Sequence, residues 1–450
     1  MATDSSLSKY KYDDNIFMPE PPDNPKHVVA LFCGRKKELE CGINTLKNGI
    51  DLYGKRMRKY DKKPWIIHGE SRSGKSHLAR RIMASLPKNK KRLQLYVPAR
   101  ERLEALAVMT NLFEQIRFDF SSRINNVRNH QIIQNNPWIH LTIELIGQIS
   151  LFIGHTTESV TIKISETLKN GLNLGLNLHI IPKVVEFFAA FSSEQSETKA
   201  TELKLRPPNA VDMAEYCGIM IDTLMNLKLL NHLLILIDDI DLLEGYVDQT
   251  RNATKQRSQL SQAILKLSST SGIDVLITAR SWYAHSKKEF KTLIDLAMEP
   301  EMKEEELIEI HDQHFKLFSP RDYPNKFLTK EALLNASTDV RGIPGIFLQH
   351  LDTAFRVYKK EEEWGERDYA WYLDIFRRIY STFRLKCPAA AIALETAVNE
   401  QRFTIDIETT NPFYSTVFDN EFVFQSYYRE TTYFMDTLVT KVIDMLESIE

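Results

Sequence analysis

The sequence predicts an α/β fold. Its centre is a doubly wound, mainly parallel sheet, joined by a β-rich insertion, a helical lid and a small C-terminal α+β domain, for which a winged helix is one form. Three observations predict it. Leu233-Leu234-Ile235-Leu236-Ile237 and Ile273-Asp274-Val275-Leu276-Ile277 are near-continuous apolar runs that end in polar residues, as strands buried on both faces do. Stretches of helical period alternate with them: Leu78, Ile82 and Leu86, then Leu103, Leu106, Met109, Leu112 and Ile116. Finally, the short run Trp65-Ile66-Ile67-His68 leads through a glycine-bounded loop into the helix that begins at Lys75.

At 450 residues the chain has room for two or three domains, and 43% apolar with 26% charged residues is ordinary for a water-soluble globular protein. The net charge of −2 hides an asymmetry. Residues 1–100 hold 22 Lys/Arg against 10 Asp/Glu (+12), so the remainder sums to −14, and residues 400–450 hold 3 basic against 10 acidic. A basic front and an acidic end suit polyanion contact near the front or head-to-tail self-association; solvated faces that differ in charge would look the same. The four cysteines, Cys33, Cys41, Cys217 and Cys387, form no C-x-x-C pair, which argues against a zinc site or a disulfide framework and suits a reducing compartment. No apolar signal core opens the chain, and the apolar stretch from Leu141 to Gly154 is short and broken by Glu144 and Gln148. The expectation is a cytoplasmic protein with no membrane span.

Taken in order, residues 1–27 contain Pro19, Pro21, Pro22 and Pro25 and read as a flexible leader. Residues 28–300 read as the domain that carries this sheet. Leu39, Ile43, Leu46 and Ile50 set a helix from about Lys36. Basic segments follow at 55–63 and 88–92, and Leu93 to Val97 reads as a strand. A segment at about 119–208 fits no minimal core. Alternation at Ile162/Ile164, Leu172/Leu174/Leu176/Leu178 and Leu203/Leu205 argues for half-buried strands, either an inserted hairpin or an edge that pairs with another subunit. Helices are expected at about 210–229 and 258–267, with a further strand at Thr292 to Leu296. Residues 301–365 read as a helical lid interrupted at Asp339 to Gly345. Residues 366–450 carry helices and two candidate strands, Phe403 to Ile407 and Glu421 to Tyr428.

The chemistry concentrates in Gly69-Glu70-Ser71-Arg72-Ser73-Gly74-Lys75-Ser76, which reads G-x-x-x-x-G-K-S between a strand and a helix. In that context backbone N–H groups and the positive helix end cradle a polyphosphate, Lys75 reaches the β- and γ-phosphates, and Ser76 holds Mg²⁺; His77 follows directly behind. The sheet is therefore of the P-loop NTPase kind. Asp238, ending its buried strand, is the second candidate for Mg²⁺, and Asp239 is placed to orient or deprotonate a water. Asp241 reads as a helix N-cap. Thr278 and Arg280 end the neighbouring strand and are candidate γ-phosphate sensors, with an ordinary surface arginine as the competing reading.

Phe32-Cys33-Gly34-Arg35-Lys36-Lys37-Glu38-Leu39 resembles the GR-x-x-EL segment of ATPases of the AAA+ and STAND classes, especially their origin-recognition-complex-like members. The motifs at 69–76, 238–239, 278–280 and Arg341-Gly342-Ile343-Pro344 fall in that family's order, over roughly residues 28–350 without the insertion. The resemblance implies that Gly34 and Arg35 lie beside adenine, that Pro344 packs on it, and that Arg341 reaches the γ-phosphate. Asp239 departs from the Glu of many AAA+ proteins.

Three functions follow: an ATP-dependent conformational switch, an ATPase associated with DNA in replication, transposition or defence, or a nucleotide-binding scaffold with negligible hydrolysis. The first two imply ATP and Mg²⁺ as cofactors and a homo-oligomer or a partner protein. DNA contact would come from the basic segments, since the acidic end is ill-suited to it.

Overall fold

The computed structural model describes residues 17, 24–52, 63–86, 91–99, 104–127, 209–243, 251–287, 289–296, 302–318, 327–359, 365–400, 404–406, 423–425, 432–435 and 437–447. Its centre is a five-stranded parallel sheet of β1 (Trp65–Gly69), β2 (Arg92–Pro98), β3 (His232–Asp238), β4 (Ile273–Arg280) and β5 (Lys291–Leu296) in the order β2-β3-β4-β1-β5. All seven residues of β3 and all eight of β4 are buried, which is why both read as apolar runs rather than as alternating strands.

The pleat sorts those residues onto two faces. Leu233, Ile235, Ile237, Ile273, Val275 and Ile277 pack on one side with the helices Ala105–Val127, Ala210–Asn226 and Arg251–Ser268. Ile67, Leu234, Leu236 and Leu276 pack on the other, with the helix α1 (Lys75–Ser85) that follows β1. The sheet is thus doubly wound, as the alternation of elements implies. The Ala210 helix starts on a capping box in which Asn209 accepts from the Asp212 amide and Asp212 accepts from the Asn209 amide. The Ala105 helix runs to Val127, nine residues into the segment read as an insertion; Phe120 and Ile124 continue its buried face. The alternating isoleucines and leucines of 162–205 lie outside the described residues.

A second core holds the helices Glu304–Phe318, Lys330–Asp339 and Pro344–Tyr358 together with Tyr372, Ile375 and Leu438 from the C-terminal part. Phe17 is buried in it, with its ring 5.4 Å from that of His311 and 5.7 Å from that of Phe327. At this residue the stretch expected to be a loose leader is anchored, and from Pro25 to Leu31 it forms a helix started by Asn24 and a proline in the first turn. A third core joins the helices Tyr369–Lys386, Pro388–Asn399 and Thr437–Glu447. A separate three-stranded antiparallel sheet is formed by Thr404–Asp406, Val423–Gln425 and Thr432–Met435, whose central strand is the last of the three. The first two of those strands fall where the sequence predicts them, and the third, Thr432–Met435, is an addition. No helix among the described residues is long and apolar enough to cross a membrane.

Candidate functional site

Register and pleat assemble the site. Gly69 at the end of β1 lies beside Arg280 at the end of β4, and Ile237 beside Ile277 brings Asp238 level with Thr278. Asp238, Thr278 and Arg280 share the face of Leu234, Leu236 and Leu276, the face on which α1 packs. Elements far apart in sequence therefore meet at the carboxyl end of the sheet, where open α/β folds bind their ligands.

The loop from Gly69 to Ser76 closes tightly. The Glu70 carbonyl accepts from the Ser73 hydroxyl at 2.9 Å and from Lys75 Nζ at 2.5 Å. Arg72 (φ 63°) and Gly74 (φ 91°) take left-handed backbone, so α1 starts without a side-chain cap and presents its amide end to the loop. Lys75 is only 6% exposed. Burial, the largest cause, holds its ammonium below the ordinary lysine range and Arg280 adds to this, while Asp239, Asp241 and Glu70 pull the other way. An anionic ligand in the loop would supply the counter-charge that this buried cation favours.

Asp238 is the hub. Its Oδ1 accepts from Ser76 Oγ at 2.8 Å and from Thr278 Oγ1; its Oδ2 accepts from the Tyr96 hydroxyl at 3.1 Å. Thr278 Oγ1 in turn accepts from the Asp239 amide at 2.8 Å, and Asp239 adopts left-handed backbone at φ 54°. Thr278 thus spends its hydroxyl on tying the two acidic residues together, a role the sequence reading did not assign to it. Arg280 is buried and faces Asp241, with its amide 3.2 Å from Oδ1 and its Nε 3.6 Å from Oδ2. Asp241 lies inside a short 3-10 turn as the partner of Arg280, and it is not the helix N-cap that its position suggests.

The remaining candidates surround this centre. Gly34 and Arg35 form a left-handed pair (φ 63° and 47°), and a Cβ on Gly34 would meet Met302 Cε at 2.5 Å. This turn is therefore pressed against the lid, with Arg35 3.4 Å from Glu38. His77 reaches the Val28 carbonyl through Nε2 at 3.0 Å and meets the Phe32 ring edge-on, which binds the Pro25 helix to α1. A carbonyl only accepts, so Nε2 carries the proton; burial is the main reason the His77 pKa falls to about 4. Pro344 lies over Gly74, and the Gly345 amide donates to the Arg72 carbonyl at 2.9 Å, so the lid helix sits directly on the loop. Arg341 donates from Nε to Thr437 Oγ1 at 2.9 Å, and Lys441 and Tyr369 bond Asp339 at 2.5 and 2.6 Å. The interruption between the two lid helices is thus tied to the C-terminal helix at one end and to the loop at the other. Of the basic segments, Lys63, Lys91 and Arg92 fall among the described residues.

The residue set fits a magnesium–nucleotide. Among the described residues no group of three or more His, Cys, Asp or Glu is placed to hold a metal ion by itself. Ser76 and Asp238, 2.8 Å apart, are the oxygen groups that would hold it.

A scan against protein-family models and a search of curated proteins found no match. Among solved structures the chain is similar to the Aeropyrum pernix ORC2 protein in ADPNP-ADP complexes, at 12% identity and TM-score 0.41, over 97% of this chain and 98% of that one. It is also similar to CDC6P from Pyrobaculum aerophilum, at 10% identity and TM-score 0.35, over 96% and 98%. At such values no residue role transfers.

Two expectations test this geometry. His77 has a folded pKa below its unfolded value, so the unfolded chain binds more protons and stability falls as pH drops from about 6.5 to about 4. Between pH 7 and 5 this group should cost about 2 kcal/mol, and His77→Gln, which keeps a donor, should remove that share from urea-denaturation curves at the two pH values. An added methyl in Gly345→Ala would lie 2.7 Å from the Arg72 carbonyl oxygen. Amide exchange at residue 345 should then speed up roughly tenfold; unchanged protection would mean that this contact does not hold lid to loop.

Proposed function

We propose that the chain is an ATP-binding and ATP-hydrolysing protein of the AAA+/STAND type that works as a nucleotide-dependent conformational switch. The observation that carries this reading is the 2.8 Å bond between Ser76 Oγ and Asp238 Oδ1, which joins two motifs 162 residues apart in one crevice. Either motif alone suits many loops. Their direct contact, with Lys75 and Arg280 buried alongside, suits a polyphosphate and a divalent cation.

In this reading Gly69 to Ser76 wraps the phosphates, and Lys75 and Arg280 supply positive charge where the γ-phosphate departs. Ser76 and Asp238 would hold Mg²⁺, which would supply positive charge against the phosphates. Asp239 orients or deprotonates the attacking water, and its amide bond to Thr278 fixes the backbone from which it acts. The contact of Gly345 with Arg72 supports a lid that senses the loop directly. Arg341 and Asp339, on the same interruption, would carry the change to the C-terminal helix. Self-association of the closed form is the natural output of such a switch. Nothing among the described residues favours the DNA-associated alternative over it.

The test is a pair of variants in nucleotide-binding and phosphate-release assays. Lys75→Ala should weaken ATP binding about a hundredfold. Asp239→Ala should leave affinity nearly intact and lower turnover by about a hundredfold or more. Retained affinity in the first would remove the phosphate role of the loop, and undiminished turnover in the second would return Asp239 to a structural position.

A further inference from the structure

Asp238 has a third partner that neither motif contains. Tyr96 lies on β2, the strand next to β3, in register with Leu236. From there its phenol leans along the sheet and donates to Asp238 Oδ2 at 3.1 Å. The Arg80 guanidinium covers the ring, 3.9 Å from its centroid. Arg80 is one helical turn beyond Ser76 on α1, so the two share a helix face. One helix therefore grips Asp238 twice: directly through Ser76, and through Arg80 and Tyr96 on the other oxygen.

A carboxylate has about four acceptor positions. Ser76 and Thr278 occupy those of Oδ1, and Tyr96 occupies one on Oδ2. What remains for a cation or its water is the second position on Oδ2, in a direction that the tyrosine fixes. Strand β2 is held in place for this: Gln94 donates to the Met83 carbonyl at 3.0 Å, and Gln115 to that of Tyr96 at 3.2 Å.

We propose that Tyr96, braced by Arg80, is the positioning residue that sets how Asp238 presents its carboxylate to a divalent cation. The proposal rests on the metal–nucleotide reading of the site. Tyr96→Phe keeps the ring on Arg80 and removes only the hydroxyl, so packing is spared. The probe is Mn²⁺, with free ion counted by electron paramagnetic resonance in the presence of saturating ATP, beside ATP affinity measured in EDTA. Tyr96→Phe should weaken Mn²⁺ binding to the protein–nucleotide complex about tenfold, as outer partners of metal ligands do, with metal-free ATP affinity within about twofold of wild type. Arg80→Gln should move it in the same direction. Unchanged Mn²⁺ affinity in Tyr96→Phe overturns the proposal. So does an equal loss of metal-free ATP affinity, which would mark a purely structural tyrosine. A wild-type chain that binds no ATP at all would instead bring down the reading of the site itself, and the proposal with it.

Discussion

One carboxylate holds the centre of this molecule together. Asp238 is 4% exposed and accepts hydrogen bonds from three strands and helices at once: Ser76 at the start of α1, Thr278 on β4 and Tyr96 on β2. A buried charge without partners would cost several kcal/mol, so the fold tolerates Asp238 only with such donors in place. Conversely, each donor is fixed by its bond to Asp238. The loop, the sheet end and the Asp239 backbone inherit their relative positions from this one group.

Around that hub the fold is tied across long distances. His77 draws the Pro25 helix onto α1, Gly34 fits under Met302 of the lid, and Phe17 is buried in the lid core. The front of the chain therefore bridges the sheet domain and the lid. On the far side, Asp339 and Arg341 bind Lys441 and Thr437. The Asp339 carboxyl is raised by burial, with Lys441 and Tyr369 opposing the rise. A movement of the lid helix at Gly345 would thus be felt both at Arg72 and at the terminal helix.

Much of this was legible in the sequence, for physical reasons that also mark where legibility ends. Strands β3 and β4 announce themselves because burial on both faces demands apolar residues throughout. The loop is legible because strand, glycine positions and helix are contiguous. The extension of the Ala105 helix to Val127 was hidden by the polar residues Asp119, Ser121 and Ser122, of which only the serines are exposed, although Phe120 and Ile124 keep the helical step. The strand Thr432–Met435 is four residues long and gains its identity from neighbours on both sides rather than from its own pattern. Side-chain partners were the least legible. Tyr96 carries no motif, and only the pairing of β2 with β3 brings it to Asp238. Thr278 was expected to face a phosphate because sequence shows which face of a strand a residue occupies, but not which neighbour takes its hydroxyl. Arg341 likewise belongs to a motif, yet its Nε is engaged by a residue 96 positions later.

The strand order has a consequence for how such a chain matures on the ribosome. β1 pairs only with β4 and β5, so its sheet partners begin at Ile273 and end at Leu296. For more than two hundred residues of synthesis after Gly69, the emerging polypeptide contains β1 without either of the strands it pairs with. Contacts of such sequence separation form late and slowly, after the loop-closure entropy has been overcome. Strand β2 likewise waits for His232–Asp238, on the other side of the segment at 119–208. The nascent chain therefore exposes two orphan apolar strands until its second half arrives, and any partner that shelters them during that interval would act on folding well before it could act on nucleotide.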